Sequence, residues 1–166
     1  MDTRLHHLQG KAERLTPVVV ALGSNLGDRR AHLDWAVDRL ATWLGDLRVS
    51  AWIETEPAEV IGVQPPYLNG VAVGGTALDP RTLLERLLAI EAERHRERQA
   101  WHAPRTLDLD LILYGDHIID EPRLVIPHPR FRERAFVLEP LAAIAPDVED
   151  PVTRLTVGEL LERLRG

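Results

Sequence analysis

The chain has 166 residues, a formal net charge of −6 and no cysteine, which excludes a disulfide scaffold, a cysteine-based zinc site and a thiol nucleophile. Hydrophobic residues make up 45% and charged residues 28%, a globular rather than disordered composition, and the length suits one domain with a sizeable core. No apolar run approaches the roughly 18 residues of a membrane span, and an acidic total argues against general nucleic-acid binding, so a cytoplasmic protein without membrane or nucleic-acid partners is expected; a monomer is the default assembly.

Residues 1–15 are polar, contain Gly10 and the pair His6-His7, and read as a flexible N-terminal extension; residues 16–166 read as a single catalytic domain. Pro17-Val-Val-Val-Ala-Leu22 is a short β-branched run stopped by Gly23, the pattern of a buried strand. Leu33, Ala36, Val37, Leu40, Ala41 and Leu44 then recur at helical spacing until Gly45. Residues 47–53 alternate as a half-buried strand, and residues 54–66, with Pro57, Gly62, Pro65 and Pro66, form a long loop of the kind that is usually functional or disordered. Residues 67–76 return to a strand in which Asn69, Val71 and Val73 face away from Leu68, Gly70 and Ala72. Asp79-Pro80 is a helix start, and Leu83, Leu84, Leu87, Leu88, Ile90 and Glu91 follow at helical spacing. Residues 107–114 alternate as a strand ended by Gly115-Asp116. The order βαββαβ predicts a ferredoxin-like α+β sandwich, an antiparallel sheet with two helices packed on one face. Short strands at 117–119 and 124–126, a helical turn near 129–132 and a small helix over 157–164 complete the chain.

Leu107-Asp108-Leu109-Asp110-Leu111 is the sharpest chemical feature. Side chains at i and i+2 of a strand share a face, roughly 6.5 Å apart along it, so the aspartates point one way and the leucines the other. Aspartate is depleted in strands and neighbouring carboxylates repel; a divalent cation removes that cost, and Mg²⁺ commonly takes one or two carboxylates plus phosphates and water. Alone, the alternation is equally compatible with a solvated edge strand. The surroundings tip the balance: of nineteen arginines, eight fall within residues 94–134, where guanidinium groups would neutralise phosphate charge. His128 lies between Pro127 and Pro129 in the same stretch. No GxxxxGK[ST] pattern occurs, and the single lysine, Lys11, lies in the N-terminal extension, so a bound nucleotide would be held by arginine and metal rather than by a P-loop.

Ala21-Leu-Gly-Ser-Asn-Leu-Gly-Asp28, Tyr67-Leu-Asn69, Pro104-Arg-Thr-Leu-Asp-Leu-Asp110, Pro127-His128 and Arg134-Ala-Phe136 resemble, in order and spacing, the 6-hydroxymethyl-7,8-dihydropterin pyrophosphokinases of folate biosynthesis. The resemblance implies a ferredoxin-like α+β enzyme that moves the β,γ-diphosphate of ATP onto the pterin hydroxymethyl oxygen, releasing AMP, with two Mg²⁺ ions. It implies Asp108 and Asp110 as metal ligands. Tyr67 and Phe136 would sandwich the pterin, Asn69 would hydrogen-bond its edge, and Thr55 and Pro57 would lie in the pterin-facing segment. Glu91, Arg98, Arg123, His128 and Arg134 would contact the nucleotide, and Arg96 and Arg105 would assist transfer. The family's usual Arg-Trp-Gly-Pro-Arg is Trp101-His-Ala-Pro-Arg105 here, and Glu56 stands where a proline often precedes Pro57.

The competing reading is a ferredoxin-like RNA- or ligand-binding module. An RNA-binding sheet wants paired aromatics on a central strand and a basic face; this chain has only two Phe and two Tyr, and its most distinctive strand carries two aspartates.

Overall fold

In a computed structural model the described residues are 15–55, 66–95 and 107–166. Strand β1 (Thr16–Ser24) lies in the middle of the sheet, antiparallel to β4 (Tyr67–Thr76) on one side and to β5 (Asp108–Tyr114) on the other. Outside β4, β2 (Gly45–Val49) and β3 (Ile53–Thr55) pair in succession with its two halves. Val18, Val19 and Val20 of β1 are all buried. Being covered on both faces explains why β1 reads as a continuous apolar run rather than an alternating one.

Helix α1 (Arg29–Leu40) and helix α2 (Pro80–His95) cover one face. Each starts where the sequence offers an aspartate: Asp28 accepts from the Ala31 N–H at 3.1 Å and Asp79 from the Thr82 N–H at 2.9 Å, satisfying amides with no partner in the first turn. Leu33, Ala36 and Leu40 of α1 and Leu83, Leu87 and Ile90 of α2 meet Val18, Val20, Leu22, Leu109 and Leu111 in one buried cluster. This is the expected helical layer on the βαββαβ frame.

The opposite face is covered as well. Val19, Val71, Val73, Ile112 and Leu113 form a second cluster with Val137, Leu138 and Leu141 of α3 (Ala135–Ile144) and Val157, Leu160 and Leu161 of α4 (Val157–Arg165). A shift in the β1–β5 register between Val19 and Val20 lets the successive residues Ile112 and Leu113 join the same core. Helix α4 begins with a capping box in which Thr156 and Glu159 satisfy each other's backbone amides.

Three elements differ from the sequence reading. The strand expected over 47–53 is two strands, β2 and β3, because the chain leaves the ladder around Ser50, whose hydroxyl accepts from the Val71 N–H at 2.9 Å. Helix α3 has no counterpart in the sequence reading: its segment is apolar around most of its circumference and contains Pro140, so it lacks the one-sided period that marks a surface helix. The hairpin after β5 is β6 (Ile119–Glu121) with β7 (Leu124–Ile126), two residues later at its first strand than expected. A 3₁₀ turn over Phe131–Glu133 follows it.

Candidate functional site

Registers at one end of the sheet set four strands side by side. Gly23 of β1 is opposite Asn69 of β4 and also opposite Asp108 of β5, and Asn69 is in turn opposite Ile53 of β3. The next row places Ala21 between Val71 and Asp110. Cross-strand partners share a face, so Asn69, Asp108 and Asp110 stand on the α3–α4 side of the sheet. Strands are about 4.8 Å apart, which puts the amide and the carboxylates on the order of 10 Å from each other across the glycine.

The Asn69 side is built for fixed geometry. Asn69 is 7% exposed, and its Nδ2 donates to Thr55 Oγ1 at 2.6 Å. Thr55 is the cross-strand partner of Tyr67, so Thr55, Tyr67 and Asn69 form one patch. A β-carbon on Gly23 would come within 2.9 Å of Asn69 Oδ1 and 3.7 Å of Tyr67 Cδ1. Phe136, at the start of α3, packs against the second core and lies beneath the Arg134 guanidinium, 5.4 Å from its ring centre.

On the carboxylate side, Asp108 and Asp110 are partly exposed while Leu109 and Leu111 are buried on the other face. His128 is fastened beside them by its N–H to Ile112 O at 2.9 Å. Its Nδ1 accepts from the Arg130 N–H at 3.1 Å, so the neutral ring carries its proton on Nε2 and donates there. Burial lowers the His128 pKa, Asp110 opposes this, and Arg134 and Arg130 add to the lowering. Arg132 makes a fork with Asp150, Nε to Oδ2 at 2.5 Å and Nη2 to Oδ1 at 2.9 Å. That fork ties the turn between His128 and Arg134 to the segment before α4.

Among the described residues no group of three or more His, Cys, Asp or Glu could form a metal cage. Two carboxylates on one strand face, open on the remaining sides, are the donor set of an ion completed by phosphate oxygens and water, and Mg²⁺ fits it.

A profile of the 7,8-dihydro-6-hydroxymethylpterin-pyrophosphokinase (HPPK) family matches residues 19–146. The 2-amino-4-hydroxy-6-hydroxymethyldihydropteridine pyrophosphokinase of Synechocystis is 44% identical over 149 residues, covering 88% of this chain and 75% of the relative. The chain belongs to the HPPK family. The enzyme of the same name from Pseudomonas aeruginosa is 44% identical over 136 residues, covering 81% and 83% of the two chains. The HPPK-DHPS crystal structure of Plasmodium falciparum superposes with a TM-score of 0.72 at 15% identity, covering 90% of this chain and 44% of that one; at that identity the likeness shows the fold, which is the ferredoxin-like one expected. Membership makes this chain an ATP-dependent pyrophosphokinase, a transferase of folate biosynthesis acting on the hydroxymethyl pterin.

Within this HPPK domain the remaining expected site residues fall in different places. Glu91 is buried on α2, where the Leu109 N–H points to its carboxylate at 3.4 Å, so it meets β5 from the leucine side of the strand. Arg123 is exposed in the β6–β7 turn with φ 68, a left-handed conformation unusual for arginine. Pro57, Arg96, Arg98 and Arg105 lie outside the described residues. Arg94, grouped by sequence with the strand-end arginines, is held on α1: its Nε donates to His32 Nδ1 at 2.8 Å and its guanidinium stacks 4.9 Å over Trp35.

Sequence reasoning missed three features of the site. The pairing of Gly23 with Asn69 is invisible without register, although Gly-Ser-Asn marks the place. The Arg132–Asp150 fork joins residues 18 positions apart, with no local motif to signal it. Ser24 and Asn25 are fully buried, and among the described residues the Ser24 hydroxyl and both polar atoms of the Asn25 amide have no hydrogen-bond partner, an unusual cost for buried polar groups.

Proposed function

We propose that the β3–β4–β1–β5 face binds the pterin alcohol over Asn69 and the ATP phosphates over Asp108 and Asp110, with Gly23 as the floor between them. The observation that carries this reading is the single row Asn69–Gly23–Asp108. Asn69 and Thr55 match the donor–acceptor edge of the pterin, with Pro57 in the adjoining segment, and Tyr67 and Phe136 stack on its faces. Asp108 and Asp110 hold two Mg²⁺ ions together with ATP. When bound, such ions screen the phosphate oxygens and lower the pKa of the attacking alcohol.

The hydroxymethyl oxygen attacks the β-phosphorus in line, the bond from that phosphorus to the α,β-bridging oxygen breaks, AMP departs and the hydroxyl proton goes to solvent. The protein positions and neutralises rather than supplying covalent chemistry. Arg96 and Arg105 stabilise charge developing on the transferring group, and Glu91, Arg98, Arg123, His128 and Arg134 hold the nucleotide. His128, kept neutral by its surroundings, donates from Nε2 without adding a second positive charge beside Arg134.

The protein works as a cytoplasmic monomer, residues 16–166 forming the catalytic domain and residues 1–15 an extension, with no nucleic-acid or membrane partner. No helix among the described residues is long and apolar enough to cross a membrane. The deciding experiment is AMP release from ATP: it must require both Mg²⁺ and the pterin alcohol, and Asp108→Ala or Asp110→Ala retaining full turnover would overturn the metal assignment.

A further inference from the structure

The first residue of α1 reaches across to both strands at one end of the pair that carries the Asn69 patch. A single nitrogen, Arg29 Nη1, donates to Pro66 O at 2.8 Å and lies 2.8 Å from Glu54 Oε1. Glu54 immediately precedes Thr55, and Pro66 immediately precedes Tyr67, so the two acceptors stand where the chain leaves β3 and where it rejoins β4. Arg29 is itself anchored: its N–H donates to Gly27 O at 3.0 Å, in the turn that continues from the end of β1. Gly27 holds that turn at φ 64. Arg29, its side chain 28% exposed, thereby links three segments: the β1–α1 turn beyond Gly23, the end of β3 and the start of β4.

We propose that Arg29 is a positioning residue for the pterin half of the site, fixing Thr55 and Tyr67 relative to Gly23 and so holding Asn69 in its binding orientation before the substrate arrives. This rests on the assignment of Asn69 and its neighbours to the pterin. The physical reason is preorganisation: among the described residues β3 meets β4 only through Ile53–Thr55, and a Thr55–Asn69 hydrogen bond that had to be ordered at the moment of binding would cost affinity. The Asp108–Asp110 side is carried by β5, across β1 from the strand that holds Tyr67 and Asn69. The charge on Arg29 is also matched, since Glu54 answers it and Pro66 contributes a neutral acceptor, so its role is geometric rather than electrostatic.

The test is a set of variants of the full chain read by pterin binding, Mg-ATP binding, steady-state kinetics and thermal melting. Arg29→Ala is expected to weaken pterin binding about tenfold, raising its KM, with kcat at saturating pterin and the Mg-ATP Kd near those of the parent. Arg29→Lys is expected to recover most of the loss, because one ammonium group supplies N–H donors to both acceptors. Should Arg29→Ala fail to fold, Glu54→Ala at the exposed partner is expected to weaken pterin binding about threefold by the same route. A lower melting temperature with unchanged pterin affinity, or equal losses for pterin and ATP, overturns the proposal. Asn69→Ala separates the two levels. If it abolishes pterin binding while Arg29→Ala does nothing, the clamp is wrong and the site stands. If neither variant affects pterin, the site assignment has failed and the clamp with it.

Discussion

Asn69 Oδ1 lies 2.9 Å from the point where a β-carbon on Gly23 would stand. Real β-carbons do not approach an oxygen of a fixed side chain so closely, and Asn69 is fixed by its bond to Thr55. The glycine is therefore part of the binding geometry and not a strand weakness.

Gly23→Ala is expected to keep the fold, since Gly23 does not need a left-handed backbone, while displacing the Asn69 amide. Pterin affinity should fall by about tenfold or more, as for loss of a buried hydrogen-bonding group. Fluorescence titration with the pterin in the presence of a non-hydrolysable ATP analogue measures this, and circular dichroism confirms the fold. An unchanged Kd would show that the amide does not meet the substrate.

Asp108→Asn and Asp110→Asn are expected to lower kcat by about a hundredfold or more each, the scale of removing a group that stabilises transition-state charge. Both side chains are partly exposed, so the melting temperature should stay close to that of the parent. Mg²⁺ titration of nucleotide binding distinguishes a metal role from a folding role, because the half-saturating concentration of the ion must rise in either variant.

His128 should titrate below its ordinary value of 6.5 in the folded protein, observable as the pH dependence of its ring resonances in NMR. Since Asp110 raises and Arg134 lowers that pKa, Asp110→Asn should move it further down and Arg134→Ala should move it up. The linkage has a definite sign. The unfolded ring takes up its proton first as pH falls through 6.5, so this residue makes the fold less stable from there down to its folded pKa. An upward movement in Asp110→Asn, or a downward one in Arg134→Ala, would refute the arrangement around the ring.

Asp150 is fully buried. Burial by itself would raise its pKa, but the Arg132 fork, the Thr153 hydroxyl and the Val152 N–H outweigh burial and bring it down to about 2 from 3.8. A depressed carboxylate stabilises the fold above its unfolded pKa, and that contribution, about 2 kcal/mol, is lost as pH falls from 3.8 through about 2. Asp150→Asn should remove this pH dependence and, by leaving Arg132 without its counter-charge, destabilise the protein by about 3 kcal/mol at neutral pH. Urea unfolding at several pH values checks both effects. If the variant also raises the KM for ATP, the fork serves the His128–Arg134 turn as well as the fold.

Local pattern alone carried the ferredoxin-like frame. Aspartates at 28 and 79 cap α1 and α2 as their positions suggest, because capping is decided by the few residues around a helix start. The alternation over 107–111 placed Asp108 and Asp110 on one face, because a strand's period is independent of its neighbours. Where context decides, the sequence was silent. Helix α3 is buried by the second face of the sheet, and its apolar surface has no period to read until that face exists. The split of β2 from β3 depends on Ser50 binding β4. Arg94 is chemically indistinguishable from a phosphate ligand until Trp35 and His32 come beneath it. Residues 23, 69 and 108 are far apart in the chain, and only strand register sets them in one row. The sequence by itself determined which side chains are offered on each element; the tertiary structure decided which of them meet, since register and packing are long-range choices that no local preference encodes.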